Sequence, residues 1–320
     1  MTVEVAAPSA PKRQPRTLRE ALTRNPVVLK ELRGRMRGAR AFVLLTFHIL
    51  VMSGFITLLY TAYTASANTP YSGFDRQLLG KIVFGGVVGM ELLLVCFITP
   101  AFTVGAISGE RERQTYDLLR TTLLPARSLV LGKLTAAMSF VLLLLLAALP
   151  LQSLGFLLGG VAPEEVAIAT LVLIVTAFLY GSAGILFSTF MRRTLGATIL
   201  TYSFVLLTTL GLPILLLALL PIFSFMGYSN TPSVVIQAVM YYALGLLIVT
   251  NPLATAVTTE AILVGQQTVF YFTVPVVDPN TANSVNLPMV SPWFPFSVFC
   301  LILGALLILV SIQVVRRAER

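Results

Sequence analysis

Residues 82–107 read IVFGGVVGMELLLVCFITPAFTVGAI, and this stretch decides the fold class because Glu91 is its only charged residue. A helix needs about 20 consecutive apolar residues to cross the hydrocarbon core of a bilayer. The chain of 320 residues is 57% hydrophobic and only 11% charged, whereas soluble domains carry about 25% charged residues. The sequence therefore predicts an all-α polytopic membrane protein, since a helix satisfies its own backbone hydrogen bonds inside lipid.

Six apolar runs of this length occur along the chain. They predict six transmembrane helices within a single transmembrane domain, residues 17–320. Residues 1–16, which are rich in Ala, Pro and basic side chains, are expected to form a disordered N-terminus. The predicted spans lie at about 41–64, 82–107, 134–158, 166–190, 196–225 and 294–315.

The basic residues predict the orientation of these spans. Of the 22 Lys and Arg residues, ten precede residue 41, five lie from Arg111 to Lys133, two are Arg192 and Arg193, and three lie from Arg316 onwards. With six spans these clusters all fall on one side, as the positive-inside rule requires. Both termini are therefore expected in the cytoplasm, with the chain multi-pass in the cell membrane. The net charge of +9 is explained in this way without a nucleic-acid partner.

Residues 226–293 form an outer segment between spans five and six. Asn251-Pro252 divides its apolar part, which could supply two further spans or an outer re-entrant or interfacial helical hairpin. The hairpin is favoured because the break carries no Lys or Arg. At the outer end of span six, an anchor at the lipid interface is expected from three aromatic residues, Trp293, Phe294 and Phe296.

A short helix is predicted before the first span, over residues 26–39. Asn25 would cap it and Pro26 would occupy its first position. Its apolar residues recur at helical spacing among basic ones, which is typical of a helix lying in the membrane plane against lipid. A solvated basic tail is the alternative. The residues assigned to the membrane interface are Val28, Leu29, Leu32, Arg33 and Met36.

Residues 108–124, called the charged segment below, follow the second span and begin SGERERQTYDLL. Ser108 or Gly109 can start a helix that Pro125 ends. The carboxylates of Glu110 and Glu112 would lie in its first turn, where they favour the helix dipole. By composition alone, this could be an amphipathic helix that only covers the inner surface.

The charged segment resembles the inner-loop signature of ABC-2 type transporter permeases. That signature has the form Glu-Arg/Lys-Glu-x-Gly-Thr-Leu-Glu-Leu-Leu, followed by Thr-Pro and a Gly-Lys that opens the third span. This chain departs from it at Gln114, where Gly is usual, at Tyr116 and at Asp117. The residues that carry the resemblance are Glu110, Glu112, Thr115, Asp117, Leu118, Leu119, Pro125, Gly132 and Lys133.

The resemblance extends over nearly the whole chain, because the helix before span one, the six spans and the Asn-Pro of the outer segment also match. It implies the membrane subunit of an ATP-driven exporter, paired with an identical or related second permease as a homodimer or heterodimer. It also implies that the charged segment is a coupling helix that docks on a separate ABC ATPase. The docking residues would be Glu110, Arg111, Glu112, Thr115, Asp117, Leu118 and Leu119.

No phosphate-binding loop of the form GxxxxGK[ST] occurs in the chain. We therefore expect no enzymatic activity and no bound cofactor in this chain, with ATP and Mg held by the partner ATPase. An ion-coupled secondary transporter is an alternative, although such proteins usually need several ionisable groups inside the membrane. A membrane-embedded enzyme is a weaker alternative, since no cluster of His, Asp and Glu has ligand spacing.

Glu91 is the one acidic residue deep inside a predicted span. A charge at that depth costs about 2.5–3.5 kcal/mol on insertion scales, so it indicates a functional role by default. Glu91 could line a polar passage or pair across a subunit interface. Alternatively, it could be protonated and hydrogen-bonded to a neighbouring Ser or Thr.

Overall fold

The structure is a computed structural model. It describes residue 34 and residues 39–67, 75–116, 125–211, 213–215, 217–218, 221, 233–278 and 284–318. Several residues singled out from the sequence lie outside the described ones: Val28, Leu29, Leu32, Arg33, Met36, Asp117, Leu118 and Leu119.

The described chain is a bundle of helices with one small β-hairpin. A π-helical turn, Leu207–Gly211, directly continues the helix Thr194–Leu206. The helices are α1 (Ala39–Ala67), α2 (Arg76–Thr103), α3 (Ser108–Glu112), α4 (Ala126–Leu157), α5 (Pro163–Phe190), α6 (Thr194–Leu206), α7 (Val234–Val249), α8 (Pro252–Gln266) and α9 (Trp293–Ala318).

Six helices among the described residues are long and apolar enough to cross a membrane. They overlap the six predicted spans, so the architecture is that of a helical polytopic membrane protein. The fifth of them, Thr194–Leu215, continues α6 through the π-helical turn. The third of them, α4, begins at Ala126, earlier than the predicted position 134. Pro125 has an extended backbone and stands at the N-cap of α4, a position that suits Pro because the first amides of a helix need no intrahelical partner.

Helix α5 lies at the centre of the bundle, against α2, α4 and α9. Within the 18-residue apolar stretch that qualifies each helix as a span, 61% of α5 is buried, compared with 11% of α1. Helices α2 and α4 approach each other closely through glycine. A Cβ atom added at Gly155 would lie 2.7 Å from Phe84 Cβ and 3.0 Å from the Gly80 carbonyl oxygen, so only glycine permits this distance.

The outer segment contains the predicted helical pair. Helices α7 and α8 are bent by 120° at the break between them. Asn251 stands at that break, and its Oδ1 accepts a hydrogen bond from the Ala254 N–H at 2.7 Å. The predicted break at Asn251-Pro252 is thus a helix start, with Asn251 as the N-cap and Pro252 in the first turn of α8.

The outer segment is not wholly helical, because two strands lie where the sequence predicted only helices. Strands β1 (Tyr271–Val277) and β2 (Ser284–Val290) form an antiparallel hairpin in which Tyr271 pairs with Val290. Each strand contains a proline, Pro275 or Pro288. Both strands of a two-stranded sheet are edge strands, which are the places where a sheet tolerates proline.

The predicted aromatic anchor at the start of α9 is also corrected. Trp293 and Phe296 are buried within the hydrophobic core. The Trp293 indole donates a hydrogen bond to the Val269 carbonyl at 2.8 Å, and its ring lies 5.3 Å from that of Phe270. The segment that joins α8 to β1 therefore covers Trp293, and only Phe294 is exposed.

Candidate partner-docking site

The described part of the charged segment, residues 108–116, begins with a helix that is shorter than predicted. Helix α3 ends at Glu112, whereas the sequence predicted a helix reaching Pro125. Gln114 adopts the left-handed conformation with φ of 56°. The Gln114 N–H donates to the Arg111 carbonyl and the Thr115 N–H to the Glu110 carbonyl. This pair of bonds is the Schellman motif, which terminates a helix and usually has glycine at the left-handed position.

Ser188 in α5 holds the start of α3. Its hydroxyl oxygen accepts hydrogen bonds from the backbone N–H groups of Ile107 at 2.9 Å and Ser108 at 3.0 Å. It also donates to the Ser108 hydroxyl at 3.2 Å. Ser108 and Ser188 are fully buried. Since the first amides of a helix lack intrahelical partners, Ser188 satisfies groups that would otherwise be unpaired in the core.

Arg111 connects the charged segment to the end of α5. Its Nη1 donates to the Thr189 carbonyl at 2.8 Å and to the Met191 carbonyl at 3.4 Å. These carbonyls lie at the C-terminus of α5, where cations are favoured by the helix dipole. The guanidinium carbon also lies 5.1 Å from the centre of the Tyr116 ring, within the range of a cation–π interaction.

Glu112 caps the N-terminus of α6. Its two carboxylate oxygens accept hydrogen bonds from the Thr194 hydroxyl at 2.6 Å and the Thr194 N–H at 2.8 Å. Helix α2 contains 28 residues, or roughly 42 Å against a hydrocarbon core of about 30 Å, and Glu112 lies beyond the end of α2 and beyond the predicted span 82–107. The bonds from Thr194, and more weakly the charge of Arg193, hold the pKa of Glu112 below its ordinary value of 4.5.

Glu110 pairs with Lys133 of α4. Lys133 Nζ lies 3.2 Å from Glu110 Oε1, and Lys133 is only 6% exposed. The Thr115 hydroxyl donates to the other carboxylate oxygen of Glu110. Burial of the ammonium group makes this pair sensitive to loss of either partner, because a buried charge without its counter-ion is strongly unfavourable.

A polar cavity of 380 Å³ opens beside the charged segment. Its walls come from the end of α2, from α3, and from Lys133 and Thr194. Arg113 lies on this wall and, with Gln114, is exposed to solvent. These two side chains thus form the described surface that a partner could contact without disturbing the bonds to α4, α5 and α6.

The structure brings four of the predicted docking residues together, namely Glu110, Arg111, Glu112 and Thr115. Their described polar contacts attach the segment to α4, α5 and α6. Sequence reasoning missed the residues that receive them, because no local pattern marks a residue about 80 positions away along the chain as a partner. The missed residues are Ser188, Thr189 and Thr194.

Glu91 lies apart from this site, in the middle of α2, and is completely buried. The Gln152 side chain amide donates to Glu91 Oε2, and the Thr170 hydroxyl donates to Gln152 Oε1 at 3.4 Å. The described partner of Glu91 is therefore an amide, whereas the protonated alternative had a Ser or Thr in that place. The chain of bonds joins α2, α4 and α5, and a role for Glu91 in a passage or an interface stays a prediction.

The candidate site thus combines an exposed charged surface with hydrogen bonds to the ends of three long helices. Those bonds fix the described charged residues relative to the bundle. No known protein family model matches the chain, and no curated protein is significantly similar to it in sequence.

Proposed function

We propose that the chain is the permease subunit of an ATP-driven transporter of the ABC-2 type, and that a separate ATPase subunit docks on residues 108–124. The observation that carries this proposal is the attachment of residues 108–116 to α4, α5 and α6 through Lys133, Ser188 and Thr194. A force applied to the exposed side of such a segment reaches three long helices at once.

In this proposal the partner ATPase holds ATP and Mg, and its closure moves the charged segment. The permease supplies the path for a substrate that is exported from the cell. The chain lies in the plasma or inner membrane with both termini in the cytoplasm, next to the ATPase. The 120° bend between α7 and α8 supports a re-entrant pair that enters and leaves on the outer side.

A second permease subunit, identical or related, completes the path. Only 11% of the apolar stretch of α1 is buried. Large apolar side chains such as Phe42 and Phe47 are exposed on this helix. Apolar side chains in contact with lipid gain little from packing against another helix by the hydrophobic effect, so such packing rests on close fit. The exposed surface of α1 gives a second subunit room for that contact.

The docking proposal is tested by affinity purification of the tagged chain from its native membranes. We expect mass spectrometry to find an ATPase with a phosphate-binding loop, and Mg-dependent ATP hydrolysis in the purified complex. Arg113→Glu should remove the ATPase from the complex, because Arg113 is exposed on the docking surface. Arg317→Glu is the matched control, since Arg317 is also an exposed basic residue but lies at the end of α9.

Two results would overturn the proposal. One is the absence of any such ATPase from the complex. The other is equal recovery of the ATPase with Arg113→Glu and with the parent chain.

A further inference from the structure

A second cavity lies between α2, α5 and α8, with a volume of 310 Å³. This volume is at the lower end of the range found for small-molecule pockets. Its lining is mainly apolar and includes Phe84, Val88 and Val172. The polar groups of the lining come from Glu165 at the start of α5 and from Thr259 and Glu260 of α8.

Thr259 has an unsatisfied hydroxyl in this lining. The residue is only 4% exposed, and its Oγ1 has no hydrogen-bond partner among the described residues. A threonine within a helix usually bonds to the carbonyl four residues earlier, as Thr176 does to Val172 at 2.7 Å. A buried polar group left unpaired is unfavourable and calls for an explanation. A bound ligand that supplies the missing hydrogen bond provides one.

The two carboxyl groups are also incompletely satisfied. Glu165 Oε2 and Glu260 Oε1 are buried without a partner among the described residues. The Glu165 charge repels that of Glu260, and Lys81 attracts both. Within the described part of the chain, Lys81 forms no ion pair shorter than 4.0 Å with either carboxylate. The unpaired carboxyl oxygens suit a ligand with N–H donors, and a positive charge on that ligand would favour the ionised form of both carboxyls.

This cavity is separate from the candidate docking site. Helix α5 begins at Pro163, next to the cavity, and Ser188 near its other end contacts α3. The 23 residues from Glu165 to Ser188 correspond to roughly 35 Å of helix. The cavity therefore lies at the opposite end of the bundle.

We propose that this cavity binds an organic cation that combines a protonated amine with a compact apolar body. The ammonium group donates hydrogen bonds to the three buried oxygen atoms that lack partners among the described residues, namely Glu165 Oε2, Glu260 Oε1 and Thr259 Oγ1. The apolar body fills the space between α2 and α8. Binding needs only this chain, so the proposal does not depend on the docking of an ATPase.

The test is equilibrium binding of tritiated 1-aminoadamantane to the purified full chain in phosphatidylcholine nanodiscs, with empty nanodiscs as background. We expect saturable binding that unlabelled 1-aminoadamantane displaces. The neutral 1-adamantanol and the anionic adamantane-1-carboxylate should compete at least tenfold less well, because they lack the cationic donor.

Four variants separate this site from nonspecific uptake. Glu165→Gln and Glu260→Gln should each weaken binding about tenfold or more. Glu164→Gln should weaken it much less, because Glu164 is exposed and acts on Glu165 only through its charge. Gly89→Leu should abolish binding, because Gly89 lines the cavity and a Cβ atom there meets nothing within 4 Å. Thr259→Val should weaken binding while raising the melting temperature of the free protein, since it removes an unpaired hydroxyl.

The proposal is overturned if the wild-type chain binds no more amine than empty nanodiscs do. It is equally overturned if the alcohol and the carboxylate compete as well as the amine. Unchanged binding in Glu165→Gln, Glu260→Gln and Gly89→Leu would also reject it, because the cavity would then not be the place of binding.

Discussion

Glu112 and Thr194 form a helix cap between two segments that are far apart in sequence, with the Thr194 hydroxyl 2.6 Å and its N–H 2.8 Å from the Glu112 carboxylate. Arg193, at the N-cap position of α6, makes no side-chain capping bond. The charged segment therefore supplies the cap that the α6 sequence lacks. A carboxylate at this place also interacts favourably with the helix dipole.

Glu112→Gln is expected to lower the melting temperature of the detergent-solubilised protein by a few degrees, because the amide carries no charge for the α6 terminus. Because the pKa of Glu112 is lowered in the folded protein, the effect of this substitution on stability should depend on pH. The carboxylate's contribution is present at neutral pH and is lost as the pH falls through the lowered pKa, below 4.5. The difference between the parent and Glu112→Gln should therefore shrink in acid, and a difference that grows there would contradict this cap.

Glu110→Gln is expected to reduce the free energy of unfolding by about 2 kcal/mol, because Lys133 would lose a charged partner while remaining buried. Lys133→Gln should have a similar effect. The double variant should lose less than the sum of the two, as measured by denaturant unfolding in a double-mutant cycle. Additive losses would show that the 3.2 Å pair does not couple the two segments.

Gln114→Gly is expected to stabilise the protein by about 1 kcal/mol. Gln114 has φ of 56°, a conformation that costs residues with a Cβ atom roughly 1–2 kcal/mol, and part of this gain is offset by the greater freedom of glycine when unfolded. Gln114→Val should instead destabilise, because β-branched residues avoid this conformation. Equal melting temperatures for the Gly and Val variants would exclude the left-handed turn.

Gly155→Ala is expected to cost about 1–3 kcal/mol, since its Cβ atom would lie 2.7 Å from that of Phe84 and force α2 and α4 apart. Gly54→Ala is the matched control within a helix, because nothing lies within 4 Å of a Cβ atom at that position. The control should be neutral or stabilising. Thermal unfolding of the two variants side by side distinguishes close helix contact from a general intolerance of alanine.

The spans and the break at Asn251-Pro252 could be predicted because each has a local cause. An apolar run of sufficient length suits only a membrane or a core, and an Asn before a Pro is a helix start wherever it stands. The β-hairpin could not be predicted in the same way. Pro275 and Pro288 argue against a strand, and they are tolerated because each of the two described strands has only the other as a neighbour in the part of the chain that the structure describes.

The candidate site was predictable as a charged segment but not as a set of contacts. Charge density and the position between two spans are properties of residues 108–124 alone. The bonds to Ser188 and Thr194 depend on which helix ends meet, and tertiary packing decides that. Gln114 shows the same limit, since the requirement for a left-handed turn overrode a residue type that normally continues a helix.

Helix α6 is held at both ends by side chains from other parts of the chain. Glu112 binds its first residue, and roughly 21 Å along the helix axis the Asn251 side chain amide donates to the carbonyls of Thr208 and Thr209 in the π-helical turn. Asn251 also caps α8, which lines the acidic cavity. Helix α6 therefore connects the charged segment to α8. A displacement of the charged segment would be transmitted to the cavity through the hydrogen bonds of Glu112 at one end of α6 and of Asn251 at the other.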